Sequence, residues 1–551
     1  MASTRIRVRG TRGRAPLRAA RDRRPAARRS HDRSWWQDGV LYQVYPRSFA
    51  DADGDGHGDL GGLRARLGHL ARLGVSGLWL NPTCPSADAD WGYDVTGYCD
   101  VHPDFGTLED MDALLADAHA AGIRVLLDLV PNHTSDRHPW FQESRTSRDN
   151  PKADWYVWAD PRPDGSPPNN WVSMFGGPAW EFEPRRGQYY LRNFTRNQPD
   201  VNWWCADVRD EFDRILRFWL DRGVDGFRID VCQAIVKDRA LRDNPPATPD
   251  DRTNVRLRGQ KPAYSMNRPE VHDVLRRWRA LCDGYAHRPI LLGETNTHDL
   301  AGLARYYGAG DELHMAFNFP FMGTPFEAGA LREIVERTEA GLPADAQPVW
   351  TMSNHDAPRF VSRWCDDDPR KVRVALMLLM ALRGTPLLYY GDELGLPDVA
   401  VPAAAARDPL AAGTLPGKDG RDPCRTPMPG DASAHYGFGP AGGGATPWLP
   451  TGPRGGRTVA DQEADPASTL QLTRRLIALR AAEPDLRRAP LRFAGAPPGV
   501  LVIERGALRV TLNLTDRAQP RGAGKLVLAT APVIGGAIPA WSGAITRRSG
   551  A

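Results

Sequence analysis

At 551 residues, with 41% hydrophobic and 9% aromatic content, the chain can bury a large core, which excludes a small disulfide scaffold and a wholly disordered protein. The formal charge of +4 conceals an asymmetry: residues 1–33 hold twelve Arg and two Asp, or +10, so the rest carries about −6 (4 − 10), which excludes a nucleic-acid-binding body. Seven Cys, an odd number without a Cys-x-x-Cys pair, point to reduced thiols in the cytoplasm and away from zinc, and no apolar run reaches the length of a membrane span or a signal-peptide core.

In chain order, residues 1–34 carry few large apolar side chains and are expected to be a disordered Arg-rich tail. Eight short apolar runs follow: VLYQVYP from Val40, VSGLWL from Val75, VLLDLV from Val125, VDGFRID from Val224, ILLGE from Ile290, MAFNFP from Met315, VWTMSN from Val349 and PLLYYG from Pro386. Helix-period segments separate them, among them 108–122, with a stop at Gly122, and the stretches beginning at Val208 and Val271. Eight strands alternating with helices predict an α/β fold, a (β/α)8 TIM barrel. The connection 134–207 is too long for a barrel loop and reads as an inserted small domain, so the barrel runs over 35–133 and 208–484. Residues 398–465, dense in Gly, Pro and Ala, read as an irregular loop after the eighth strand. A helix near 466–484 leads to 485–551, which reads as a C-terminal antiparallel β-sandwich domain.

Catalytic groups of such a barrel sit at the C-terminal ends of its strands. Those ends read DLVPNH (Asp128–His133), GFRID (Gly226–Asp230), GET (Gly293–Thr295) and SNHD (Ser353–Asp356). Each brings a carboxylate, a His or an Arg to one face. Paired carboxylates suit glycosidic cleavage, in which one attacks as nucleophile and the other protonates the leaving oxygen. Arg228, two residues before Asp230 on one strand face, is expected to keep Asp230 ionised and so favours it as nucleophile. Glu294 has no basic neighbour in its own strand end and is the expected acid.

Together these four ordered motifs resemble the signature regions of the alpha-amylase family of glycoside hydrolases, over roughly residues 35–545. The resemblance implies Asp230 as nucleophile, Glu294 as acid/base and Asp356 as the third carboxylate, which grips sugar hydroxyls and stabilises the transition state. It also implies sugar contacts for His133, Arg228 and His355. QPDVN (Gln198–Asn202) resembles the short signature of the oligo-1,6-glucosidase and alpha-glucosidase branch. DWGYDV resembles that branch's pocket motif, with Asp90 on the terminal glucose hydroxyls and Tyr93 stacked on the ring. RTPM places Arg425 as a residue that closes the pocket, and Phe175 and Phe194 match its aromatic walls, whereas Trp171, Trp203 and Trp204 read as packing. A closed pocket admits only a chain end. The implied activity is a retaining exo-acting alpha-glucosidase on maltose-like oligosaccharides. An oligo-1,6-glucosidase, and a trehalose synthase-like isomerase or glucosyl transferase, are the alternatives. A different class, the non-catalytic transporter subunits that share this barrel, lacks the carboxylates present here.

The stretch DADGDGHGDL at Asp51 resembles the metal loop after the first barrel strand in this branch. Asp51, Asp53, Asp55 and Asp59, with the His57 carbonyl, suit a hard cation. Calcium is expected, with magnesium as the alternative, in a structural role; Gly62 at the twelfth position rules out an EF-hand. No organic cofactor, nucleic acid or membrane partner is expected, and the protein is read as a monomer or small homo-oligomer. Three positions depart from the branch's usual form: Arg192 replaces His, Gly97 an acidic residue and Gly430 a bulky aromatic. They bear on the leaving-group subsites, not on the bond-breaking step.

Overall fold

The computed structural model describes residues 35–297, 299–412, 420–440, 442–452 and 455–548; the Arg-rich tail 1–34 lies outside the described residues. Eight short parallel strands form the frame: β1 (Leu41–Val44), β2 (Gly77–Leu80), β3 (Arg124–Leu129), β4 (Gly226–Ile229), β5 (Ile290–Gly293), β6 (Met315–Ala316), β7 (Val349–Thr351) and β8 (Thr385–Tyr389). They pair in the order β7-β8-β1-β2-β3-β4-β5-β6. A parallel bridge between Phe317 and Val349 joins the two ends, so the sheet closes on itself as the expected barrel.

Strand parity places the chemistry. Side chains alternate along a strand, so Leu41, Trp79, Leu126, Leu292 and Val349 point to the barrel axis and share one buried cluster with Met315, Phe317 and Leu387. Trp36, on the short helix Trp35–Asp38, belongs to the same cluster. Two residues further along, the same parity turns Gln43, Asn81, Asp128 and Glu294 to the axis, and Arg228 and Asp230 share that parity on β4. Register then sets who meets whom: Asp128 faces Arg228 across β3 and β4, and Ile229 faces Gly293 across β4 and β5. An apolar floor thus carries a polar layer at the C-terminal ends.

The helices pack outside by the expected period. Ala206–Asp221 buries Val208, Phe212, Ile215, Leu216 and Trp219, three or four residues apart. Leu108–Ala120 opens with a capping box between Thr107 and Asp110, and Gly122 just beyond its end has φ +75°, which a glycine adopts without strain.

The insert holds a three-stranded antiparallel sheet, Trp158–Ala159, Gln188–Leu191 and Trp180–Glu183, over its own small core of Trp171, Trp180 and Leu191. The bridge His133 to Asp200, with Val201 N donating to Asn132 O, ties it to the end of β3, while the bridge Tyr156 to Val201 lies within the insert. The expected irregular segment after β8 is built largely of single 3-10 turns and closes with the helix Val459–Ala464. Its backbone clasps the acidic loop: Asp51 N donates to Phe438 O, Ala445 N to Gly54 O and Trp448 N to Gly56 O, at 2.8–2.9 Å. At Gly430 a Cβ would come within 2.8 Å of the Gly437 carbonyl oxygen, besides the movable Arg66 guanidinium, so a side chain there needs the backbone to shift. Beyond the helix Thr469–Ala482 lie a five-stranded antiparallel sheet and a two-stranded ladder. Among the described residues no helix is long and apolar enough to cross a membrane.

Candidate active site

Two of the three expected carboxylates, Asp230 and Glu294, converge with Asp128 on one cation, while Asp356 pairs elsewhere. Arg228, at 1% side-chain exposure, donates to Asp128 at 2.8 Å, to Asp230 at 2.7 Å and to Glu294 at 2.6 Å. Its guanidinium lies over Trp79, 4.8 Å from the ring centre. The Val231 N–H also donates to Glu294, at 3.0 Å. Asp230 and Glu294 therefore sit on adjacent nitrogens of a single guanidinium, held from neighbouring strands.

This sharing corrects the expected electrostatics. Arg228 is not reserved for Asp230, and Glu294 does have a basic partner, supplied by the adjacent strand. Burial pushes the Asp230 carboxyl well above the usual range; Arg228 pulls it down, and the Glu294 and Asp128 charges push it further up. Burial likewise raises Asp128 to about 6 against the pull of Arg228. One fixed charge cannot balance three clustered carboxylates, so the cluster holds a proton to higher pH than isolated carboxylates do. Asp356 is the solvent-facing member. Burial raises it, but His355 at 3.2 Å, Arg421 at 3.0 Å and Arg425 at 3.2 Å hold it well below the usual carboxylate range.

Burial favours the neutral form of both histidines, and the amides beside them favour one tautomer. Burial pushes His355 well below its ordinary value. The Gln43 amide donates to its Nδ1 at 2.9 Å, so its proton resides on Nε2 and faces Asp356. Burial lowers His133 to about 4. Asn132 donates to its Nδ1 at 2.9 Å, leaving Nε2–H for the Tyr93 carbonyl at 3.0 Å. Tyr93 stacks on His355, with ring centres 5.3 Å apart and planes 3° from parallel, while its hydroxyl donates to Asp128 at 3.0 Å. Phe194 packs on His133 at 5.0 Å and edge-to-face on Phe175 at 5.7 Å. All the sugar-contact residues expected from sequence are thus brought to one cleft, Phe175 and Phe194 included. Trp171 and Trp203 are fully buried, as packing residues.

One arginine was missed. Arg425 does reach Asp356, and it also donates to the His355 carbonyl at 2.8 Å. Yet it is Arg421 that spans the pocket: it donates to Asp90 at 2.6 Å, to Asp356 at 3.0 Å and to Asp408 at 2.7 Å, with its guanidinium 5.5 Å from the Phe175 ring centre. The signal was the spacing RDPCR, since the one-turn element Asp422–Cys424 sets the flanking Arg421 and Arg425 side by side. Gln198 of the QPDVN stretch donates to the other oxygen of Asp90 at 3.0 Å. Asp200, fully buried, accepts from Asn193 and Asn132 and pairs with the buried Lys237 at 2.6 Å. That stretch orients Asp90 and locks the insert to the base of His133.

Three of the proposed metal ligands converge as well. Oxygens of Asp51, Asp53 and Asp59 lie within 4.8 Å of one another. Burial raises the carboxyls of Asp51 and Asp59, as expected of acids gathered without a counter-charge. This all-oxygen donor set fits a hard cation. Asp55 is not part of the triple: its carboxylate caps the His57 N–H at 2.7 Å, and the His57 ring is held by Arg47 at 2.6 Å. A second acidic cluster, Asp88, His102 and Asp104, already contains a cation, because Arg47 pairs with Asp88 at 3.2 Å and Asp104 at 2.7 Å.

Comparisons with known proteins place this geometry. The alpha amylase catalytic-domain family matches residues 43–489. A probable alpha-glucosidase of Rhizobium meliloti (strain 1021) is 45% identical over 479 residues, covering 84% of this chain and 85% of the relative. An oligo-1,6-glucosidase of Parageobacillus thermoglucosidasius is 38% identical over 82% of this chain and 84% of its own. Among solved structures, an alpha-glucosyl transfer enzyme, XgtA, superposes with a TM-score of 0.86 at 40% identity, covering 94% of this chain and all of the other. The trehalulose synthase MutB of Pseudomonas mesoacidophila MX-45 does so with 0.85 at 32% identity, over 94% and 100%.

Proposed function

Because the chain belongs to the alpha-amylase family of glycoside hydrolases, we propose that it is a retaining, exo-acting alpha-glucosidase that releases terminal alpha-linked glucose from maltose-like oligosaccharides. The observation that supports the exo reading is the bridge Arg421 makes from Asp90 to Asp356. In this reading the bridge walls off the far side of the first ring, so a sugar chain does not continue past it. Asp90 and Asp356, with the Nε2–H of His355 beside them, bind the terminal glucose hydroxyls in this reading, while His133 is held by Asn132 and the Tyr93 carbonyl and supports the pocket from behind.

In the reaction, Asp230 attacks the anomeric carbon while Glu294 gives its proton to the leaving oxygen. Arg228 bridges both carboxylates, so the approach of positive charge at the anomeric carbon favours ionised Asp230 and leaves the proton with Glu294. Glu294, now ionised, takes a proton from water, which opens the glycosyl-enzyme ester with net retention. If a sugar hydroxyl takes the place of water, the product is a new glucoside. The similarity to a glucosyl transfer enzyme and a trehalulose synthase supports that transfer reading as the second.

Asp51, Asp53 and Asp59 hold a structural calcium ion in this reading, with Asp55 and the His57 carbonyl nearby and magnesium as the alternative. The ion supplies charge that neutralises the loop and pins it against Phe438–Trp448. The cytoplasm is the proposed compartment, supported by the seven cysteines standing as free thiols.

Product analysis with NMR of the anomeric proton, on maltose, isomaltose, sucrose and trehalose given separately, tests the function. Alpha-configured glucose from maltose is expected, and the maltose to isomaltose rate ratio fixes the linkage. Exclusive formation of trehalose or longer glucosides moves the assignment to transfer. Internal cleavage of starch without glucose release sinks the exo reading.

A further inference from the structure

The loop between β4 and the helix Val271–Asp283 carries a small pocket that the hydrolytic mechanism does not use. Arg252, Arg258, Gln233, Asn267 and Asn296 line it, and no lining residue is a carboxylate. It borders the catalytic groups. Asn296 lies two residues beyond Glu294 and donates its N–H to Gln233 at 3.1 Å. Met174 and Met266, which also line it, pack with Phe194 and Val231 in the wall of the glucose site. The pocket therefore borders the catalytic site next to Glu294 and the wall formed by Phe194 and Val231.

Arg258 is the unusual member. It is only partly exposed, and burial alone pushes its pKa down, with no charged partner to offset it. Its Nε donates to the Asn254 carbonyl at 3.0 Å, and an Nη meets the Met174 sulfur, a weak acceptor. It pairs with no carboxylate among the described residues. Three acids of the same loop region pair with other bases: Asp238 with Arg242 at 2.5 Å, Asp243 with Arg162 at 3.3 Å and Asp251 with Lys261 at 3.2 Å. A guanidinium kept half-buried against a thioether, beside a second arginine and three amides, is a receptor for an oxyanion.

We infer that Arg258 and the amides around it form an aglycone subsite for an anionic group, a carboxylate or a phosphate, so that the preferred substrates or acceptors are alpha-glucosides whose second residue is charged. This rests on the glucosidase reading for where the aglycone lies. A charged aglycone gains a charge-assisted contact there that a neutral sugar lacks, worth about tenfold in affinity.

The test is calorimetric titration of the turnover-blocked Asp230→Asn enzyme with maltobionate, whose open-chain aglycone is a carboxylate, and with maltitol, its neutral counterpart. Maltose 1-phosphate against maltose forms the phosphate arm. Binding about tenfold tighter for at least one anion, fading with added salt, is expected, and the tighter arm names the oxyanion. Introducing Arg258→Gln should bring the anion to neutral affinity ratio close to one, and Arg258→Lys should retain part of it. Equal binding of charged and neutral ligands overturns the subsite whether or not the wild type hydrolyses maltose. Failure of the wild type on maltose counts against the glucosidase reading alone.

Discussion

Removing the Arg421 side chain, as Arg421→Met, tests the closed pocket. The variant keeps side-chain bulk but breaks the bridge from Asp90 to Asp356 and strands Asp408, which is fully buried. Two consequences follow. A buried pair that loses one partner costs about 3–5 kcal/mol of stability, because the remaining charge is uncompensated. Catalysis suffers separately, since the two carboxylates that orient glucose lose their common anchor. Charge-assisted bonds of this kind are worth about 1.5–3 kcal/mol each. A loss of about 3 kcal/mol in transition-state binding corresponds to roughly 150-fold in kcat/KM. The pH profile adds a sign. Arg421 pulls the Asp90 carboxyl down against burial and helps hold Asp356 low. Without it both acids protonate at higher pH, so the acidic limb of kcat/KM moves up. The assay is initial rates on maltose across pH 4–8, with circular dichroism and thermal melts to establish folding. A folded variant within about threefold of wild-type kcat/KM, with an unmoved acidic limb, refutes the role given to Arg421.

Glu294→Gln should lower kcat by about 10²–10⁴ on maltose and by much less on substrates with good leaving groups, which need no proton; equal losses on both remove Glu294 as the acid. Asp230→Asn should abolish turnover and yet raise the melting temperature above pH 6. Burial raises the Asp230 carboxyl in the folded state, so its ionisation costs stability as pH rises through and above the unfolded value, and the gain should vanish in acid. An unchanged or lower melting temperature at pH 7–8 contradicts that balance. Chelation should lower the melting temperature and calcium restore it, by about 2.7 kcal/mol at a hundred times its dissociation constant; Asp51→Asn should erase the response. Lys237→Met leaves the buried Asp200 unpaired and should cost about 3–5 kcal/mol, read in denaturant melts.

Much of this protein is legible in its sequence because barrel strands obey a period of two. Once GFRID and GET are read as strand ends, parity alone sends Arg228, Asp230 and Glu294 toward one axis. The eight apolar runs, the stop at Gly122 and the oversized insert are local properties, fixed by residues next to one another in the chain. Glycine spacing and alternating acids likewise marked the loop at Asp51. What lies beyond local reach is who shares a partner with whom. Arg421 meets Asp90 across 331 positions of sequence, and no pattern near either announces the pair. The ionisation of Asp230 could not be read from its own strand either, because Glu294 and Asp128 arrive from the strands on either side to compete for Arg228. That Arg258 meets a carbonyl and a thioether and no carboxylate among the described residues is likewise a property of the folded chain alone. Composition and periodicity determined the frame and the residue types at its mouth; burial and long-range pairing decided how their charges are divided, since electrostatic balance sums over everything within a few ångströms, whatever its distance along the chain.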